Sequence, residues 1–133
     1  MHELSLATSI VAVAYDTLRR EGGGQVTLVR LRLGALASVH EDALRFAFDI
    51  VREGTPLAAA RLHCTPVPVR IWCDSCRVER TLPDLRRFAC PTCGRPSGDI
   101  RAGRELEIES LDIVPVDGAA APPASIDLVE RCG

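Results

Sequence analysis

Cys73-Asp74-Ser75-Cys76, thirteen further residues, then Cys90-Pro91-Thr92-Cys93-Gly94 is the stretch that decides how this chain is read. Two residues between paired cysteines let both sulfurs turn toward one point while backbone N–H groups curl around them. Two such knuckles supply the four tetrahedral thiolates of a structural Zn²⁺ site. The gap between them accommodates a short hairpin, and Gly94 stands where a knuckle turn calls for positive φ. A redox-active site would need one Cys-x-x-Cys opening a helix in a βαβ setting. Here there are two pairs, flanked by short β-like segments and prolines. Disulfides fit poorly with a start, Met1-His2-Glu3, that lacks the basic region and cleavage site of a secretory signal. The expectation is a zinc site at Cys73, Cys76, Cys90 and Cys93.

On the N-terminal side, apolar residues recur at Leu4, Ala7, Val11, Ala14 and Leu18, with Ile10 widening the stripe. Steps of three and four predict an amphipathic helix over residues 4 to 20, ended by Gly22-Gly23-Gly24. Val29, Leu31 and Leu33 alternate with Arg30 and Arg32, which predicts a strand over 25 to 34. Ser38-Val39-His40-Glu41 has the form of a capping box, opening a helix whose stripe is Leu44, Ala47, Phe48 and Val51, widened by Phe46 and Ile50. Gly54 and Pro56 end it, and Leu62 and Cys64 mark a second strand over 59 to 65. Strand, helix and strand joined by short connections read as a right-handed crossover with parallel strands.

Pro66 and Pro68 mark a linker or an edge strand. Within the cysteine segment, Arg77 to Leu82 is the expected strand. After Gly103, Leu106 and Ile108 alternate with glutamates, then the apolar parity shifts to Leu111 and Ile113, as at a bulge. That strand is too long and apolar for a zinc knuckle alone and is assigned to the first sheet. The expected class is α+β: a two-layer α/β domain with a mixed sheet (residues 1–69 and 104–116) and an inserted four-cysteine zinc ribbon (70–103). Residues 117–133, with an alanine run and Pro122-Pro123, read as a flexible tail.

The chain has 133 residues, 47% of them hydrophobic, and a formal net charge of −2. That balance removes the simple electrostatic case for nucleic acid. No apolar run reaches the length of a membrane span, and the expected location is the cytoplasm, where thiols stay reduced. No nucleophile elbow or phosphate loop is present, Cys64 follows the apolar parity of its strand, and Cys132 is incidental. The chain is therefore read as a non-enzyme.

The remaining anomaly is the first three residues. A bulky His2 disfavours removal of Met1, so the free amine is expected on Met1. That amine, the His2 backbone nitrogen and the His2 imidazole can chelate one cation, with Glu3 completing the set, and such nitrogen-rich coordination suits Ni²⁺ or Cu²⁺. A histidine near a terminus is, by itself, more often a solvated bystander.

Met1-His2-Glu3-Leu4-Ser5, the helix-strand-helix-strand order and Cys73-x2-Cys76-x13-Cys90-x2-Cys93 together resemble the HypA family of nickel metallochaperones. The resemblance covers residues 1 to 116, and Gly34 and Phe46-Ala47-Phe48 fall where similar family segments do. It implies transient nickel binding at Met1, His2 and Glu3 and structural zinc at Cys73, Cys76, Cys90 and Cys93. It further implies delivery of Ni(II) to the large subunit of [NiFe]-hydrogenase in concert with a GTPase partner, with neither nucleic acid nor membrane as partner. Position 40, often acidic in similar sequences, is His40 here; the region offers an oxygen ligand, a nitrogen ligand or none. Two competing readings are a zinc-ribbon module that binds protein or nucleic acid without nickel, and a thiol oxidoreductase using Cys73 and Cys76.

Overall fold

The structure, a computed structural model, describes residues 3–115 and 124–131; Met1, His2, residues 116–123, Cys132 and Gly133 lie outside the described residues. The elements run α1 (Glu3–Arg20), β1 (Gln25–Gly34), a 3₁₀ turn (Ala35–Ala37), α2 (Glu41–Val51), β2 (Arg61–Val67), β3 (Arg70–Cys73), β4 (Val78–Thr81), β5 (Ile100–Ala102), β6 (Leu106–Val114) and β7 (Ala124–Arg131). A mixed four-stranded sheet has the order β2-β1-β6-β7, and an antiparallel three-stranded sheet the order β4-β3-β5. β1 pairs parallel with β2, as the crossover pattern requires, and antiparallel with β6. The cysteine segment is thus inserted between two strands of the first sheet.

Both helices cover the apolar face of that sheet. Leu6, Ala7, Ile10, Val11, Ala14 and Leu18 of α1, and Leu44, Ala47 and Phe48 of α2, form one cluster with Val26, Val29, Leu31, Leu62, Ile108, Leu111 and Ile113. The parity shift in β6 is a bulge: Leu31 faces Ile108 but Arg30 faces Ser110, so Glu109 is the extra residue. The opposite sheet face is polar, with Arg30 paired bidentately to Asp112 at 2.8 and 3.1 Å.

Four expectations need correction. Leu4 is exposed, lying in the first turn at the edge of the buried arc. Phe46 and Ile50 are also exposed, at 70% and 53%. Each is two residues from Phe48, and at about 100° per residue this turns them away from the core. The capping box does not form. Ser38 takes a left-handed conformation (φ 56°) after the 3₁₀ turn, and α2 starts at Glu41 with His40 as its cap residue. Finally, part of the expected tail is strand β7, hydrogen-bonded along β6, with Ile126 packed on the core. The free edge of β6 offers a row of unpaired backbone groups that a following segment can satisfy. The rest of that tail lies outside the described residues.

The ribbon has its own small core of Val69, Ile71 and Leu82, joined by Leu36, Phe88 and Ile100. Leu36 belongs to the 3₁₀ turn after β1, so the two sheets share this contact. At the same crossing the Gly34 N–H donates to the Glu105 carbonyl at 2.6 Å, and the Leu36 N–H to that of Gly103 at 2.7 Å. No described helix is long and apolar enough to cross a membrane.

Candidate metal centres

β3 delivers Cys73 at its end, and a tight turn brings Cys76 round before β4 begins. The Cys76 N–H donates to the Cys73 sulfur at 3.4 Å, and the Arg77 N–H to the Cys73 carbonyl at 2.7 Å. The second knuckle repeats this: the Cys93 N–H points at the Cys90 sulfur (3.5 Å) and the Gly94 N–H at the Cys90 carbonyl (2.8 Å). Both turns close on a left-handed residue, Gly94 at φ 76° as its sequence position suggests, and Arg77 at φ 55°. A side chain in that conformation costs about 1 kcal/mol, so the first knuckle carries strain that the second avoids.

Between the knuckles, the Cys73 and Cys93 sulfurs are 3.5 Å apart and those of Cys76 and Cys90 3.9 Å. All four sulfurs lie within 4.8 Å of one another. A tetrahedral zinc with bonds of about 2.3 Å separates its sulfurs by about 3.8 Å, whereas a disulfide needs about 2.05 Å. The donor set and spacing therefore fit one thiolate-bound divalent ion, and none of the four is disulfide-bonded. Cys73 and Cys90 are buried, Cys76 half-buried and Cys93 exposed, so the cage has one open side.

Crowding shows in the thiol acidities. Cys90 is held down at about 6, chiefly because the Cys93 N–H favours its thiolate, against the opposing effect of burial. Cys93 is pushed up to about 11: the Arg95 N–H favours its thiolate, but the Cys73 sulfur, burial and the other two sulfurs outweigh it. Neighbouring thiolates cannot all ionise without a cation among them, so metal binding must release protons. Cys64 stands apart; burial pushes its thiol up to about 11, the behaviour of an inert core cysteine.

Away from the cysteines in sequence, Glu3 opens α1 and its carboxylate accepts the His40 N–H at 3.3 Å. In a capping box Glu41 would accept the Ser38 N–H; here the Glu3 carboxylate, from another helix, takes the His40 N–H, while Glu41 pairs with Arg45 at 3.3 Å. Glu3 titrates below the usual glutamate value because first its own N–H and then that of His40 favour the ionised form. The starts of α1 and α2 are thereby tied together, with the exposed His40 beside Glu3. Met1 and His2 lie outside the described residues. Among the described residues, the four cysteines are the one group of three or more metal-ligating side chains close enough to share an ion. Arg80, opposite Ile71 in the β3–β4 ladder, was not singled out by motif spacing. Strand alternation could have found it, because it shares the Cys73 face of the ribbon.

A mixed sheet under two helices, carrying a ribbon closed by four converging thiolates, defines a metal-binding α+β protein. The family model described as hydrogenase/urease nickel incorporation, metallochaperone, hypA matches residues 1–113. The chain belongs to the HypA family. The hydrogenase maturation factor HypA of Chloroflexus aggregans is 52% identical over 112 residues, covering 84% of this chain and 98% of its own. That of Roseiflexus sp. is 44% identical over 112 residues, covering 84% and 91%. The solution structure of the Ni metallochaperone HypA from Helicobacter pylori is similar in fold, with a TM-score of 0.62 at 20% identity. It covers 86% of this chain and 99% of that one.

Proposed function

We propose that the chain takes up one Ni²⁺ at Met1, His2 and Glu3 and hands it to the large subunit of a [NiFe]-hydrogenase, with a GTPase as partner. On this reading residues 1–69 and 104–116 carry the nickel site, and residues 70–103 are a zinc unit that holds its ion. The cytoplasm is its place of work. Delivery requires a site whose ligands exchange, and a terminal chelate on the protein surface meets that need better than a half-buried thiolate cage. The Met1 amine, the His2 nitrogens and the Glu3 carboxylate are the donor types that nickel favours.

The observation that carries this reading is the anchoring of Glu3 by the His40 N–H. It holds an ionised carboxylate at the first residue of α1, next in sequence to His2. Zinc at Cys73, Cys76, Cys90 and Cys93 would lock the ribbon, whose buried core is only three apolar residues. Calorimetric nickel titration of the zinc-loaded protein is the test. One equivalent should bind to the native chain, and binding should be lost in His2→Ala. A native chain that takes up no nickel would leave the ribbon as an interaction module and sink the proposal.

A further inference from the structure

The first sheet ends at β2, which among the described strands pairs with β1 alone. Beside that outer strand, α2 and the start of β2 enclose a cleft of about 320 Å³. Its helix wall is the face of Arg45, Phe48, Asp49 and Arg52, spaced by three and four residues. Its strand wall is Ala60, Arg61 and Leu62. Arg45 donates through Nη1 to the Leu62 carbonyl and through Nε to Glu41. Arg52 donates through Nη1 to the Ala60 carbonyl, pairs with Asp49 at 3.1 Å and lies over the buried Phe48 ring. Backbone carbonyls thus hold both heads in place, yet a guanidinium has five N–H groups and each keeps some to spare. Arg61 is exposed and forms no ion pair among the described residues. In a chain of net charge −2, three cations lining one cleft, against Asp49 inside it and Glu41 beside it, are a local excess.

Carbonyls two residues apart on an extended chain stand about 6.6 Å apart. Arg45 and Arg52, fixed on Leu62 and Ala60, present their charges at about that interval. Alternate side chains of a second extended chain share one face with the same repeat. We propose that this cleft is a docking site for an extended acidic segment of a partner protein. Glutamates or aspartates at alternate positions meet Arg45 and Arg52, and a third contact falls to Arg61. Pairing of carboxylates with the spare guanidinium N–H groups supplies the recognition. A single-stranded nucleic acid fits less well. The negative net charge opposes a long polyanion, and the aromatic of the cleft, Phe48, is buried beneath Arg52, where no base can stack on it. The site uses neither the cysteines nor the amino terminus, so it stands independently of the zinc and nickel readings.

The test is calorimetric titration of the full chain with three probes: a short synthetic peptide bearing glutamate at alternate positions, its glutamine counterpart, and a short single-stranded oligonucleotide. The glutamate peptide should bind, the glutamine peptide should not, and the oligonucleotide should bind more weakly than the glutamate peptide. Arg61→Gln removes a cation that holds no carbonyl of the fold, so the protein stays folded, and it should weaken the glutamate peptide about tenfold. Asp49→Asn removes the opposing carboxylate, which is 61% exposed, and should tighten that peptide about threefold. Arg86→Gln, at an exposed arginine of the ribbon, should match native. No binding of the glutamate peptide, or equal binding of its glutamine counterpart, would overturn the proposal. So would native affinity in both Arg61→Gln and Asp49→Asn, which would put the peptide elsewhere on the protein. Tighter binding of the oligonucleotide, lost in Arg61→Gln, would assign the cleft to nucleic acid and overturn the proposal equally.

Discussion

Gly34→Ala probes the crossing where the sheet hands over to the ribbon. Gly34 has φ −72° and ψ 145°, open to any residue, so the need for glycine is one of space alone. An added Cβ would stand 2.2 Å from the Gly103 carbonyl oxygen, 2.3 Å from its carbon and 2.6 Å from the Glu105 nitrogen. All three are backbone atoms, so no side chain can swing aside; residues 103–105 must move by about 1 Å to reach ordinary contact. That motion breaks the Gly34-to-Glu105 and Leu36-to-Gly103 hydrogen bonds. Two such bonds contribute about 2 kcal/mol and overpacking costs about 2 kcal/mol more. A loss of about 4 kcal/mol should lower Tm by roughly 15 °C in a chain of this size. Calorimetry of the zinc-loaded variant is the assay, with zinc content expected to stay native because no cysteine moves in sequence. Gly98→Ala is the control, since its Cβ meets nothing within 4 Å. A Gly34→Ala Tm within a few degrees of native would refute the tight crossing.

The ribbon's small core makes it metal-dependent, so Cys90→Ala should abolish zinc and open residues 70–103 to protease while the far-ultraviolet helical signal persists; retained zinc with an unchanged digest would contradict this. Asp112 titrates below its ordinary value of 3.8, first through the Arg30 hydrogen bonds. A depressed carboxylate stabilises the fold above its unfolded pKa and loses that contribution as pH falls through the folded one. Asp112→Asn should therefore cost about 1 kcal/mol at pH 7, with the gap to native closing below about pH 4 in thermal melts; a gap independent of pH would count against the pair. Nickel affinity should fall as the medium drops below about pH 6.5, because imidazole and α-amine must both be deprotonated to bind; equal affinity at pH 5.5 and 8 in calorimetry would exclude nitrogen ligation at the terminus.

Period and spacing carried much of the architecture. The steps of three and four from Ala7 to Leu18, the alternation around Val29 and Leu31, and the parity shift before Leu111 each had one structural solution, because each recorded a face that must be buried. The two Cys-x-x-Cys pairs did the same for the metal cage, where backbone N–H groups and sulfur geometry are local to each knuckle. What sequence could not show was rotation and distant pairing. Phe46 and Ile50 are apolar, yet helix geometry turns them outward once Leu44 and Phe48 face the sheet. Ser38 and Glu41 have the spacing of a capping box, but the His40 N–H finds Glu3, thirty-seven residues away. β7 hides behind an alanine- and proline-rich stretch because its stability comes from the waiting edge of β6 rather than from its own pattern.

The measurement that bears most directly on the central claim is parallel nickel and zinc stoichiometry on the native protein and on a form with one extra residue before Met1. The extension moves the α-amine out of chelate reach but leaves Glu3, the apolar stripe of α1 and all four knuckle cysteines untouched. One nickel and one zinc in the native protein, with zinc alone in the extended form, is the predicted result. Full nickel binding by the extended protein would contradict a nickel site built on the terminus.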